Sequence, residues 1–181
     1  GLEAKGVPKG LKGSVQPFSF NNLEELKNIV SKYKLAAIKM EVERTSAPKK
    51  GFLEGIRKIC DENNIILIFD ECTSGFRETY GGIHKKYKVE PDMAIFGKAL
   101  GNGYAITAII GKRSIMEAAQ SSFISSTFWT ERIGPTAALK TLEIMERERS
   151  WEKITKSGLV LRRIWLEIAK NNNLEINIYG I

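Results

Sequence analysis

The chain carries one histidine, His84, and two cysteines, Cys60 and Cys72, in 181 residues. A single His excludes a multi-histidine metal centre within the chain. A Ser-His-Asp triad would have to rest on His84, which opens the basic run His84-Lys85-Lys86 and reads as exposed. The cysteines match neither a metal spacing nor a disulfide framework, and each adjoins an apolar run, so both read as reduced, buried thiols. No apolar stretch approaches the roughly 18 residues of a membrane helix, and no signal-peptide pattern opens the chain. The expectation is a cytoplasmic protein with no membrane partner.

Charge is abundant but unfocused. The chain has 28 basic and 21 acidic residues, a net charge of +7, with the basic residues scattered in pairs such as Lys49-Lys50, Lys85-Lys86 and Arg162-Arg163. Nucleic-acid binders concentrate charge on one face and interleave aromatic residues for stacking, so no nucleic-acid partner is expected. An anionic substrate is compatible with the balance. A hydrophobic content of 43% suffices for a globular core. The chain starts at Gly1, and an alternating pattern begins at Leu174 and stops at Ile181. Both features lead to the expectation of a piece of a longer protein.

Hydrophobic spacing predicts a helix carrying Leu23, Leu26, Ile29 and Val30, capped by Asn21 or Asn22, then a strand from Leu35 to Met40. An amphipathic helix with Phe52, Leu53, Ile56 and Ile59 follows, then a strand Ile65 to Phe69. Helix, strand, helix, strand is the order of parallel βαβ units. A long connection from Glu71 to Asp92 precedes a strand 93 to 97, a Gly101-Asn102-Gly103 turn and a strand 105 to 110, read as a hairpin. Beyond Gly111 come a helix to about Gln120, a hydroxyl-rich strand or loop over 121 to 127, and helices from about Arg132 to Glu148 and Trp151 to Lys170. The sheet-forming pattern gives way to a long helix near residue 155.

Two charges stand out because each follows an apolar strand directly. Ile65-Ile66-Leu67-Ile68-Phe69 ends in Asp70, and Met93-Ala94-Ile95-Phe96-Gly97 ends in Lys98. Ligands of α/β sheets bind beyond the carboxyl ends of the strands, which puts one acid and one amine at the same crevice. An amine there is expected to be partly desolvated and so nucleophilic toward an aldehyde. A Lys that forms a Schiff base and an Asp that holds a pyridinium nitrogen are what pyridoxal phosphate requires of a protein. A rival use of Asp70-Glu71 is to hold magnesium in a P-loop-like ATPase. It needs G-x-x-x-x-G-K-[ST] upstream, which residues 1 to 64 do not contain. A non-catalytic phosphate-binding module is the other alternative.

Ile68-Phe69-Asp70-Glu71, Thr73-Ser74-Gly75-Phe76-Arg77, Pro91-Asp92 and Phe96-Gly97-Lys98-Ala99-Leu100-Gly101-Asn102-Gly103 occur in that order. Together they resemble the class III pyridoxal-phosphate aminotransferases, above all the glutamate-1-semialdehyde aminomutase-like branch. The resemblance implies an α/β fold-type I architecture with a mostly parallel central sheet and flanking helices. Residues 1–155 would be part of the cofactor-binding large domain, and 156–181 the start of the small one. It implies a homodimer with a shared active site, small-molecule amine and keto or aldehyde substrates, and either amino-group transfer or an intramolecular amine shift. It carries Asp70 to the pyridine nitrogen and Lys98 to the Schiff base. Thr127, in Ser126-Thr127-Phe128, is carried to the cofactor phosphate of the neighbouring subunit.

Three departures accompany the match. Thr73 stands where many members have Gln reaching the cofactor hydroxyl, and Val42 replaces the Pro that often follows Glu41. Trp129-Thr130-Glu131-Arg132 replaces a run of smaller residues, which reshapes the expected substrate pocket.

Overall fold

A computed structural model describes residues 5–125, 127 and 130–180. Helix α1, Leu23–Lys32, starts where the Asn22 side chain accepts from the Glu25 amide at 3.1 Å, and Glu25 in turn accepts from the Asn22 side chain and the Ser19 amide. Asn22 thus caps one first-turn donor, and Glu25 reaches back to hold the cap side chain and the entering chain at Ser19. Strand β1, Ala37–Met40, leads through a loop to α2, Phe52–Asn63, which buries Phe52, Leu53, Ile56, Ile59 and Cys60 on one face. Asn64, at φ 53°, ends it in the left-handed conformation that Asn tolerates, and β2, Ile66–Asp70, follows.

The short helix α3, His84–Tyr87, lies in the connection to β3, Met93–Phe96. Then come β4, Ala108–Gly111, α4, Arg113–Met116, and the long helices α5, Ile133–Glu148, and α6, Ser150–Asn171. The four strands form one sheet in the order β1-β2-β3-β4, the first three parallel and β4 antiparallel to β3. The hairpin reading of β3 and β4 therefore holds, with pairing that begins at Ala108 rather than at 105.

The period-two pattern of the strands sorts their side chains. Ile38, Met40, Leu67 and Phe69 point into a core with Leu26 of α1 and the apolar face of α2. Ala94 and Phe96 form a second cluster with Ala138 of α5. Burying each large side chain contributes ~1.5–3 kcal/mol. Lys39, Ile66, Ile68, Asp70 and Ile95 alternate onto the opposite, less buried side.

One buried acid ties these layers together. Asp92 accepts from the Leu67 amide of β2 at 2.8 Å, Arg57 of α2 at 2.9 Å and Lys112, next to β4, at 2.7 Å. The sequence places it beside Pro91 without showing this task.

Three local expectations are revised. The helix after Gly111 breaks into α4 and a 3₁₀ segment, Glu117–Ser121, where the Ser121 and Ser122 hydroxyls donate to the Ala118 carbonyl in competition with the helix ladder. Over 121–127 the loop alternative holds, with no strand among the described residues. The 174–180 segment is not a strand either. It reaches back through Gly180, whose amide donates to the Thr45 carbonyl at 3.0 Å and whose carbonyl accepts from Arg162. His84 is buried, only 6% exposed. Helix α6 runs unbroken through residue 155. No helix among the described residues is long and apolar enough to cross a membrane.

Candidate active site

Because β2 and β3 run parallel, Asp70, the last residue of β2, and Lys98, two residues beyond β3, leave the sheet at the same end. Asp70 pairs with Ile95, and the next amide, that of Glu71, donates to the Ile95 carbonyl at 2.8 Å. The two chemical side chains are thus fixed to one rigid pair of strands.

The Asp70 carboxylate accepts from Lys39 Nζ at 2.7 Å through Oδ2 and from the Cys72 amide at 3.1 Å through Oδ1. Partial burial pushes its pKa up, but the Lys39 and Cys72 hydrogen bonds outweigh burial and hold it below the usual Asp value. It is an anion at neutral pH with a fixed orientation. One residue after Cys72, the Thr73 hydroxyl accepts from Lys98 Nζ at 2.7 Å. Lys39, Asp70, Cys72, Thr73 and Lys98 therefore form a continuous line of contacts across the sheet end. Burial and a hydrogen bond to the neighbouring Asp70 raise the Cys72 thiol, which stays protonated and donates to that carboxylate.

Lys98 is exposed, not desolvated as its position after an apolar strand led us to expect. Its backbone carries the constraint instead. At φ 44° it lies in the left-handed region, which costs a non-glycine residue ~1–3 kcal/mol and recurs at functional sites. Gly97 before it lets the strand end pack closely: a Cβ there would stand 3.3 Å from both Cys72 Sγ and Thr107 Cγ2. Three residues after Lys98 the chain turns tightly. A Cβ on Gly101 would sit 2.2 Å from the Tyr104 carbonyl oxygen, so only glycine fits.

Glu71 holds the loop that carries Cys72 and Thr73. Its fully buried carboxylate accepts from the Ser74 hydroxyl at 2.6 Å, the Ile83 amide at 3.0 Å, the His84 amide at 3.1 Å and His84 Nδ1 at 2.8 Å. Burial raises its pKa, and these donors together bring it below the ordinary Glu value. With both oxygens occupied inside the protein, Glu71 cannot serve the ATPase reading. The buried His84 is likewise committed to Glu71.

The sequence-predicted pair, Asp70 and Lys98, is brought to one sheet end through Cys72 and Thr73. Thr127 stands exposed in the connection before α5, while Ser126, Phe128 and Trp129 around it lie outside the described residues. Glu131 accepts from the Ile133 and Gly134 amides, which caps α5. Sequence reasoning missed Lys39. Its signal was a lone Lys in the apolar strand Ala36-Ala37-Ile38-Lys39-Met40, on the same strand face as Asp70 once the parallel register Lys39 to Ile68 is known. Thr73 was noted for the Gln it replaces, not for its contact with Lys98.

Two concavities flank this region of the fold. A larger one of about 1040 Å³ is walled in part by Lys39, Met40, Glu41 and Arg44, and the Arg44 guanidinium donates to Glu41 at 3.1 Å. A smaller one of about 530 Å³ lies between Gly101, Asn102, Tyr104 and the α5 residues Ile133, Thr136 and Lys140. Asp70 and Lys98 are among the walls of neither. Chemically, the site offers a primary amine open to a carbonyl compound, and a fixed carboxylate able to accept from a cationic N–H.

Comparisons with known proteins bear on this arrangement. A 3-aminobutyryl-CoA aminotransferase of Cloacimonas acidaminovorans is 35% identical over 189 residues, covering 99% of this chain and 46% of that protein. A glutamate-1-semialdehyde 2,1-aminomutase of Citrifermentans bemidjiense is 36% identical over 183 residues, covering 96% of this chain and 43% of its own length. Among solved structures, the PLP internal aldimine form of the FumI protein of Sphingopyxis sp. MTA144 superposes with a TM-score of 0.90 at 26% identity, over 95% of this chain and 44% of that one. A structure described as a transaminase with PLP bound shares the fold, with a TM-score of 0.86 at 22% identity, over 97% of this chain and 44% of that one. The chain thus spans less than half the length of the curated relatives it matches, and its mostly parallel sheet is that of fold-type I transaminases. Residues 16–178 match the family described as aminotransferase class-III, and the chain belongs to that family.

Proposed function

We propose that this chain carries the cofactor-anchoring half of a pyridoxal-phosphate-dependent aminotransferase. The residues present fit that group: an ionised, oriented carboxylate at Asp70 for the ring nitrogen and an accessible amine at Lys98 for the aldehyde. The single observation that carries the reading is the delivery of both to one end of the parallel strands. When bound, pyridoxal phosphate supplies a carbonyl carbon that condenses with amines and a ring that withdraws electrons from the carbon beside the nitrogen. Asp70, held ionised, keeps positive charge at the ring nitrogen, each pKa unit gained there being worth about 1.4 kcal/mol. The Lys98 amine would hold the group at its aldehyde and would be the base placed to move a proton. The Thr73 hydroxyl orients the Lys98 amine.

In this reading Thr127 donates to the cofactor phosphate of a neighbouring subunit of a homodimer, in a cytoplasmic enzyme. Large apolar side chains exposed on α5 and α6, among them Leu139, Leu159, Trp165 and Leu166, are of the kind that subunit contacts cover. Residues 1–155 fall to the large domain and 156–181 to the start of the small one. The substrates are a small amine or amino acid and a keto or aldehyde partner. An intramolecular amine shift is the second reading, favoured by the 36% identity to an aminomutase.

The test is borohydride reduction of the complete protein with pyridoxal phosphate, followed by peptide mapping. The label is expected on the Lys98 peptide and lost in Lys98→Ala. A label on another lysine overturns the assignment.

A further inference from the structure

Resting on the cofactor reading above, we infer that Lys39 is a positioning residue that competes for the Asp70 carboxylate and thereby sets how tightly Asp70 holds a protonated ring nitrogen. Lys39 is the one charge in the β1 strand, with its side chain 56% exposed, and its Nζ lies 2.7 Å from Asp70 Oδ2. The contact follows from the strand register. Lys39 pairs with Ile68, and Asp70 lies two residues further along on the same face.

Asp70 has two oxygens and about four acceptor positions. One oxygen already serves the Cys72 amide and the other serves Lys39. A ring N–H can still join the carboxylate, but it must share an oxygen with an ammonium group and meet a charge of its own sign there. Of the other titratable groups near it, the Cys72 thiol stays protonated and donates to Asp70, Lys98 is turned toward Thr73, and Glu41, two residues beyond Lys39, is paired with Arg44. None of these takes Lys39 away from Asp70, which Lys39 Nζ meets at 2.7 Å. The Asp70 grip on the cofactor is therefore weaker than an unshared carboxylate would give, and the strand position beside the site tunes it.

The test compares Lys39→Met with Lys39→Arg in the complete protein. Met keeps the apolar stem, and Arg keeps the charge. Dissociation constants are measured for pyridoxal phosphate and for its analogue with CH in place of the ring nitrogen. Attraction between position 39 and the phosphate cancels in the ratio of the two constants. Lys39→Met is expected to raise preference for the nitrogen-bearing compound about tenfold, equivalent to ~1.4 kcal/mol. Lys39→Arg is expected to leave the preference as in the parent protein. In the cofactor-free protein, carbon NMR of the Asp70 carboxyl should show its titration moving to higher pH in Lys39→Met. An unchanged ratio in a protein that does label at Lys98 overturns this inference alone. Failure of the parent protein to label at Lys98 overturns the cofactor reading and this inference with it.

Discussion

Glu71→Gln is the perturbation whose cost the structure fixes most closely. The carboxylate receives four donors, two on each oxygen: Ile83 N and Ser74 Oγ on Oε2, His84 N and His84 Nδ1 on Oε1. Gln keeps the shape but replaces one oxygen by an NH₂ group, so two buried donors lose their acceptor and face another donor. Hydrogen bonds to charged groups are worth ~1.5–3 kcal/mol each, and breaking a buried charged cluster costs ~3–5 kcal/mol in all. With a urea slope of ~1–3 kcal/mol/M, the unfolding midpoint should fall by roughly 2 M. The pH dependence adds a second arm. The folded-state pKa of Glu71 is depressed below its ordinary value of 4.5, so its contribution is present above that value and is lost as pH falls through the folded value. The gap between parent and variant should therefore narrow in acid. Urea melts of the complete protein at neutral and acid pH measure both arms. A midpoint within about 0.3 M of the parent, or a gap that does not narrow, refutes the reasoning.

Two further outcomes follow from burial. Phe69→Ala empties a fully buried position in the cluster between the sheet, α1 and α2, and should destabilise by ~3–5 kcal/mol in the same urea assay. A loss under about 1 kcal/mol would mean that this core is not packed as described. Burial pushes the Cys60 thiol up to about 11, whereas Cys72 is only half-buried. A thiol reagent at pH 8 should therefore modify Cys72 first and reach Cys60 only on denaturation, as counted by mass spectrometry.

The sheet was legible because its strands are short apolar runs ending in lone charges, and helix spacing was clear where one face is buried, as in Leu53, Ile56 and Cys60. What the sequence hid is non-local. Lys85 and Lys86 made His84 look solvated, but its burial is set by Glu71, 13 residues away and itself placed by β2. Lys39 meets Asp70 across 31 residues and Lys98 meets Thr73 across 25, so neither contact exists until strand register is fixed. At the end of the 3₁₀ segment after α4 two serine hydroxyls bond the Ala118 carbonyl, a choice that helix spacing does not encode. The desolvation expected of Lys98 failed because a strand-end position fixes direction, not cover.

The most direct measurement is a crystal structure of the complete protein grown with pyridoxal phosphate. The account predicts unbroken density from Lys98 Nζ to the cofactor, with the Asp70 carboxylate within hydrogen-bonding distance of the ring nitrogen. A cofactor joined to a different lysine, or Asp70 turned away from the ring, would contradict it.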